Sequence, residues 1–319
     1  MPRTPFTELF GIEVPILQAA IWPATSPELV AAVCEAGALG TVAAVFAPAD
    51  RVLGDIERVR ALTDRPFVVN HVVPALDEDA YEATLSARPA AVSFALGDPG
   101  ALVERAHEAG VKVIHQVHTA AQAREVRPLG ADVLIAQGSE AGGQGLSAGV
   151  GAMALVPQVV DAVAPTPVLV AGGVADGRGL AAALVLGAAG ANVGTRFLAS
   201  REAGAPQSWK SRIVDSESED TVRFEAWKTI MPVVADGAYD VVPRVIRTAF
   251  VSEWQQRASE VAEHAERLRD AIVQTLREGR PDELTPFTGQ TAGLIDDVLP
   301  AGDIVRTMAA EAERALAAA

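Results

Sequence analysis

Pro167-Val168-Leu169-Val170-Ala171-Gly172-Gly173-Val174-Ala175-Asp176-Gly177 decides the fold. An unbroken apolar run reads as a parallel strand covered on both faces. The glycine pair then turns the chain, and a helix is expected from about 176 to 186. Gly190-Ala191-Asn192-Val193 followed by Gly194-Thr195-Arg196-Phe197 repeats the pattern of strand, glycine turn and helix. Glycine lets backbone approach a ligand closely, and the start of the following helix offers unpaired N–H groups to an anion.

The same unit recurs toward the N-terminus. Strands are expected at 14–18, 39–42, 67–70, 91–94, 111–115 and 132–136. Helices follow at about 26–37, 49–62, 77–88, 98–109, from 119, and at 152–163. Ser26 suits an N-cap, with Pro27 in the first helical position. Eight strand–helix units in about 200 residues favour a (β/α)8 barrel, a TIM barrel, which normally takes about 250. An open doubly wound sheet would place its phosphate-binding glycine loop after the first strand. Gln18-Ala19-Ala20-Ile21-Trp22-Pro23 stands there instead.

Beyond about residue 200 the alternation stops. Residues 1–204 and 286–319 are assigned to the barrel and its closing segment, and 205–285 to a helical appendage. Within the appendage, 253–278 reads as one long, charged, amphipathic surface helix.

Composition narrows the function. The net charge of −15 over 319 residues argues against a general nucleic-acid binder, which needs basic patches. A small anion can still bind a local nest of N–H groups. The one cysteine, Cys34, lies in an apolar run and reads as a buried helix residue. No His, Asp, Glu or Cys cluster has metal-ligand spacing. No signal-peptide region or stretch of about 18 apolar residues is visible, so a cytoplasmic protein with no membrane contact is expected.

In such barrels chemistry sits at the C-terminal ends of the strands. Two glycine turns after the last two strands, at Gly172-Gly173 and Gly194-Thr195, match the usual phosphate position. Gln137-Gly138-Ser139-Glu140-Ala141-Gly142-Gly143-Gln144-Gly145, after the sixth strand, reads as a loop covering a ligand. Among the histidines, His115 ends the fifth strand and is favoured for a pocket role. Strand alternation turns His71 away from the face of Asn70. His118 is expected on a surface or in a helix-starting loop, and His107 on a helix surface.

Together these motifs resemble the nitronate monooxygenase (2-nitropropane dioxygenase) family, over nearly the whole chain. Flavin-dependent enoyl-thioester reductases and quinone reductases share its architecture. The resemblance rests on Pro15-Ile16-Leu17-Gln18, Val69-Asn70, the 137–143 loop, the two glycine turns and Gly289-Gln290-Thr291-Ala292-Gly293. It implies flavin mononucleotide (FMN), with the phosphate at Gly172, Gly173, Gly194 and Thr195. It places Gln18, Asn70 and Gln137 against the ring or ribityl chain, and Gln290 and Gly293 over the pocket. It departs at Gln144, where the family usually carries histidine. Glutamine cannot take a proton near neutral pH.

The expected activity is therefore oxidation of alkyl nitronates, or a related activated carbanion, by O2, with His115 and Gln144 as catalytic candidates. The alternatives are an NAD(P)H-dependent FMN reductase of enoyl thioesters or quinones, a non-catalytic flavin-binding sensor, and a cofactorless phosphosugar barrel. The expected partner is a small-molecule substrate with O2 or NAD(P)H, and a homodimer is left open.

Overall fold

The computed structural model describes residues 1–231 and 240–318. Eight parallel strands form the barrel: β1 (Ile16–Gln18), β2 (Gly40–Ala43), β3 (Phe67–Val72), β4 (Ala91–Ala95), β5 (Lys112–Val117), β6 (Val133–Gln137), β8 (Val168–Ala171) and β9 (Gly190–Val193). They pair in the order β1-β9-β8-β6-β5-β4-β3-β2, and a parallel bridge between Leu17 and Leu39 closes the ring. Helices follow the strands around the outside. The helix Pro27–Glu35 starts as its sequence implies, with Ser26 Oγ accepting from Leu29 N–H at 3.0 Å. Such a cap is worth about 1 kcal/mol.

Alternation along each strand builds two cores. Leu17, Val68, Ala91, Ile114, Val133 and Leu169 fill the barrel, and Phe6 and Phe10 of the first helix pack beneath them. Val92, Phe94, Val113, Val117, Leu134 and Val170 face outward and pack with the helices. The C-terminal helix Ala301–Ala318 lies against the helices Gly177–Val185 and Pro27–Glu35. Gly177 owes its identity to that packing: a Cβ there would sit 2.3 Å from Glu311 Cβ and 2.4 Å from Ala312 N.

The segment expected as a helical appendage carries its helices and also two strands, β10 (Thr221–Arg223) and β11 (Val241–Ile246). These pair antiparallel with each other and with β7 (Gly143–Leu146), a strand formed by the glycine-rich stretch after β6. That stretch is thus a sheet edge tied to the appendage. Of the 205–285 segment, residues 232–239 lie outside the described residues. The single helix expected at 253–278 is divided into Ala249–Gln256 and Val261–Arg277 by a short 3-10 turn at Ala258–Glu260. It is also less of a surface element than expected, since Trp254, Leu268 and Ile272 are buried in an appendage core.

Candidate active site

A cavity of about 660 Å³ opens over the C-terminal ends of the barrel strands and reaches beneath the appendage. Strand parity determines which side chains meet it. Thr41, Asn70, Ser93, Gln116, Gln137 and Asn192 share the inward-facing register and line it. Asn70 donates through Nδ2 to Ser93 Oγ at 2.9 Å. Gln137 donates through Nε2 to the carbonyl oxygen of Gln144 at 2.7 Å, which holds the start of β7 beside the end of β6.

Of the residues expected from sequence, Asn70, Gln137, Gln144, Gly172, Gly194 and Thr195 line this cavity. Five do not. His115 shares its parity with Val113 and Val117, so its ring lies on the helix side, completely buried. Its neighbour Gln116 faces the cavity instead. This corrects the pocket role expected for His115, and the cause is strand alternation. The same parity moves Gln18 out of the cavity while Leu17 lines it. Gln18 Oε1 accepts from Thr41 N–H at 3.0 Å and its amide donates to the Ala19 carbonyl, so it braces the β1–β2 seam.

Gly173 is exposed beside the cavity, with Gly172 and Gly173 in the left-handed region at φ +85° and +78°. A Cβ at Gly172 would also come within 2.7 Å of Ala141 N. Gln290 contributes backbone, its N–H donating to the Glu140 carbonyl at 2.9 Å, while the neighbouring Gly289 and Thr291 meet the cavity. Gly293 is a packing glycine: a Cβ there would be 2.7 Å from Ser218 N. Gly194 differs from these, since only Ala19 lies within 4 Å of a Cβ added there, at 3.7 Å. Protein packing does not explain that glycine; a ligand against it would.

The C-terminal segment clamps the loops together. Gly289 N–H donates to Thr195 Oγ1 at 3.0 Å, and Trp209 Nε1 donates to Thr288 Oγ1 at 3.2 Å. Gly142 and Gly289 meet back to back, leaving no room for a Cβ on either. On the appendage side, Arg223 and Arg244 both donate to the Ser139 carbonyl. Burial, with Arg223 alongside, pulls the Arg244 guanidinium down to about 10, and nearby Glu140 opposes the shift. Both oxygens of Glu140 accept from Ala152 N–H, at 2.9 and 3.0 Å, so this carboxylate caps the helix Ala152–Val163 from the cavity wall.

The site therefore has little acid–base capacity. Among the described residues lining it, Glu140 is the one carboxylate and Arg269 the one cation, and no histidine, lysine, cysteine or tyrosine is present. The three interior histidines lie elsewhere. His118, expected near the surface, is 2 % exposed. Burial is the leading cause that depresses His71, His115 and His118 to about 4 each.

Three oxygens in the cavity wall, Thr41 Oγ1, Asn192 Oδ1 and Gln144 Oε1, are buried with no hydrogen-bond partner among the described residues. Buried polar atoms are nearly always paired. These three fit a polar ligand carrying N–H or O–H groups. Thr41, Ser93, Gln116 and Asn192 were not singled out from the sequence, although the inward parity of their strands would have marked them.

The family model for nitronate monooxygenase matches residues 3–311. A (3aS,4S,5R,7aS)-5-hydroxy-7a-methyl-1-oxo-octahydro-1H-indene-4-carboxyl-CoA dehydrogenase of Mycobacterium tuberculosis is 42% identical over 223 residues, 69% of this chain. That match spans 62% of the mycobacterial protein's length. The structure of FabK from Thermotoga maritima superimposes with a TM-score of 0.88 at 34% identity, covering 100% of this chain and 98% of the other. That of a nitroalkane oxidase from Streptomyces ansochromogenes gives 0.83 at 31% identity, covering 99% of each.

Proposed function

The chain belongs to the nitronate monooxygenase family of oxidoreductases, and we propose that it uses FMN to oxidise alkyl nitronates, or closely related preformed carbanions, with O2. The observation that carries this reading is the lack of a usable base among the described residues that line the cavity. The lining offers Gln144, where the family resemblance implies histidine, and its one described carboxylate, Glu140, accepts from Ala152 N–H. Such a site suits a substrate that arrives already ionised, as a nitronate does.

The residues present fit FMN. Backbone N–H groups at Gly172-Gly173 and Gly194-Thr195 would hold the phosphate, the side-chain hydroxyl of Thr195 being already engaged by Gly289. Thr41, Asn70, Gln137 and Asn192 supply polar atoms for the rest of the cofactor, and the unpartnered oxygens of Thr41 and Asn192 would gain partners. When bound, FMN supplies the redox centre that takes electrons from the substrate and passes them on. The protein's own part is orientation and exclusion of water. Gln144 can donate a hydrogen bond to a substrate oxygen through its amide. The 287–291 clamp and the apolar walls from Trp209 and Phe287 shield the reacting end.

One observation favours a second reading, an NAD(P)H-dependent FMN reductase of enoyl thioesters or quinones. The cavity lining also includes the apolar Trp227, Met231, Ile272 and Leu276 of the appendage, more apolar surface than a small nitronate requires. Absorption spectroscopy of the purified protein, followed by anaerobic titration with propyl nitronate and separately with NADPH, tests both. Bleaching by the nitronate supports the proposal. Bleaching by NADPH alone favours the reductase, and a colourless protein that takes up no FMN contradicts both.

A further inference from the structure

Arg269 is the one cation among the described residues that line the cavity. It lies on the helix Val261–Arg277, and the spacing 269, 272, 276 puts it on one helix face with Ile272 and Leu276, which also line the cavity. Its Nε donates to the carbonyl of Ile230 at 2.8 Å. That bond fixes the plane of the guanidinium and leaves its two terminal nitrogens without a further hydrogen bond or ion pair among the described residues. The appendage also lines the cavity with the apolar Trp227, Met231, Ile272 and Leu276. Arg269 is half-exposed, and beside such apolar side chains its attraction to an anion is stronger than in bulk water. The end-on fork of a guanidinium matches a carboxylate or a phosphate.

The net charge of −15 gives a general field that repels anions, so an anion drawn into this cavity must be held by a local group. We propose that Arg269 recognises an anionic group, carboxylate or phosphate, that the substrate carries apart from its reacting atoms, joined to them by an apolar segment lying along Trp227, Met231 and Ile272. The inference rests on the reading of this cavity as the substrate site of a flavin oxidoreductase. It adds the chemistry of the substrate's far end.

The test is equilibrium binding followed by tryptophan fluorescence, since Trp22, Trp209 and Trp227 all line the cavity. The probes are octanoate, octanol and octyl phosphate, titrated into the full chain as purified. Flavin content is measured separately on the same samples, so a protein without flavin would contradict the redox reading while leaving the anion preference readable. Octanoate or octyl phosphate should bind at least about ten-fold more tightly than octanol, the effect expected of a charge-assisted hydrogen bond. Whichever anion binds better identifies the group. Arg269→Met should bring the ratio to about one, and Arg269→Lys should keep part of it, because an ammonium keeps the charge and loses the fork. Arg269→Gln serves the same purpose if the methionine variant fails to fold. Equal binding of octanoate and octanol to the unmodified protein, binding of none of the probes, or a preference that survives in Arg269→Met or Arg269→Gln would overturn the proposal.

Discussion

The side-chain amide of Gln137 donates to the backbone carbonyl of Gln144 at 2.7 Å, so the last residue of β6 holds the strand that places Gln144 at the cavity. The side-chain oxygen of Gln144, Oε1, has no hydrogen-bond partner among the described residues. Gln137→Leu removes the bond to Gln144 at similar volume. Stability should fall by about 1 kcal/mol. Turnover should fall by about ten-fold, because Gln144 loses its fixed position, about what loss of one such bond costs. Melting temperature and turnover per bound flavin, measured together, check this.

Two glycines should respond differently to substitution. Gly172→Ala places a side chain at φ +85° and within 2.7 Å of Ala141 N, so it should destabilise the fold and lower flavin content. The Cβ of Gly194→Asp would meet no protein atom closer than Ala19 at 3.7 Å, while its carboxylate would repel a phosphate. It should keep a near-native melting temperature and lose FMN affinity by at least about ten-fold. Gly173→Asp, exposed in the facing loop, should also lose FMN. Full FMN content in both aspartate variants would remove the phosphate from these loops.

The interior histidines should make the protein acid-sensitive. Burial holds His71, His115 and His118 at about 4, whereas an unfolded chain titrates near the ordinary 6.5. Between those values the unfolded state binds more protons, so stability should fall as pH drops from about 6.5 to about 4. Each histidine can contribute on the order of 1–3 kcal/mol to that loss. Urea midpoints across pH 4 to 8 measure it, and a flat profile would mean that the rings are hydrated.

Because its ring lies on the helix side, His115 is expected to matter for stability and not for chemistry. His115→Ala should cost roughly 1–3 kcal/mol through the cavity it leaves. Turnover per bound flavin should stay within about two-fold, far below the hundred-fold or greater loss expected on removing a general base. A loss of that size with full flavin content would return His115 to the reaction.

The barrel was legible in the sequence because strands buried on both faces, such as 67–70 and 132–136, are continuous apolar runs. The Gly172-Gly173 turn was legible because few other residues tolerate φ near +80°. The appended sheet was hidden. Pro243 in Val241–Ile246 argues against a central strand, and Gly143–Leu146 contains no β-branched residue. Gly143–Leu146 becomes a strand only through pairing with Val241–Ile246 about 100 positions away, Pro243 standing opposite Gln144, while Val241–Ile246 also pairs with Thr221–Arg223. In the site, His115 drew attention by its chemistry, while parity selects Gln116 next to it. Arg269 and Trp227 could not be placed from sequence, since the fold of the appendage alone brings them to the cavity.

The central claim is oxidation without a protein base, and the most direct measurement compares initial rates on propyl nitronate and on the parent nitropropane at one pH. The unmodified protein should oxidise the nitronate at least about 10²-fold faster, the lower end of what a positioned general base supplies. Gln144→His should narrow that gap by restoring an imidazole with an ordinary value near 6.5. Equal rates on the two substrates by the unmodified protein would contradict the claim, since some group in the cavity would then be removing the proton.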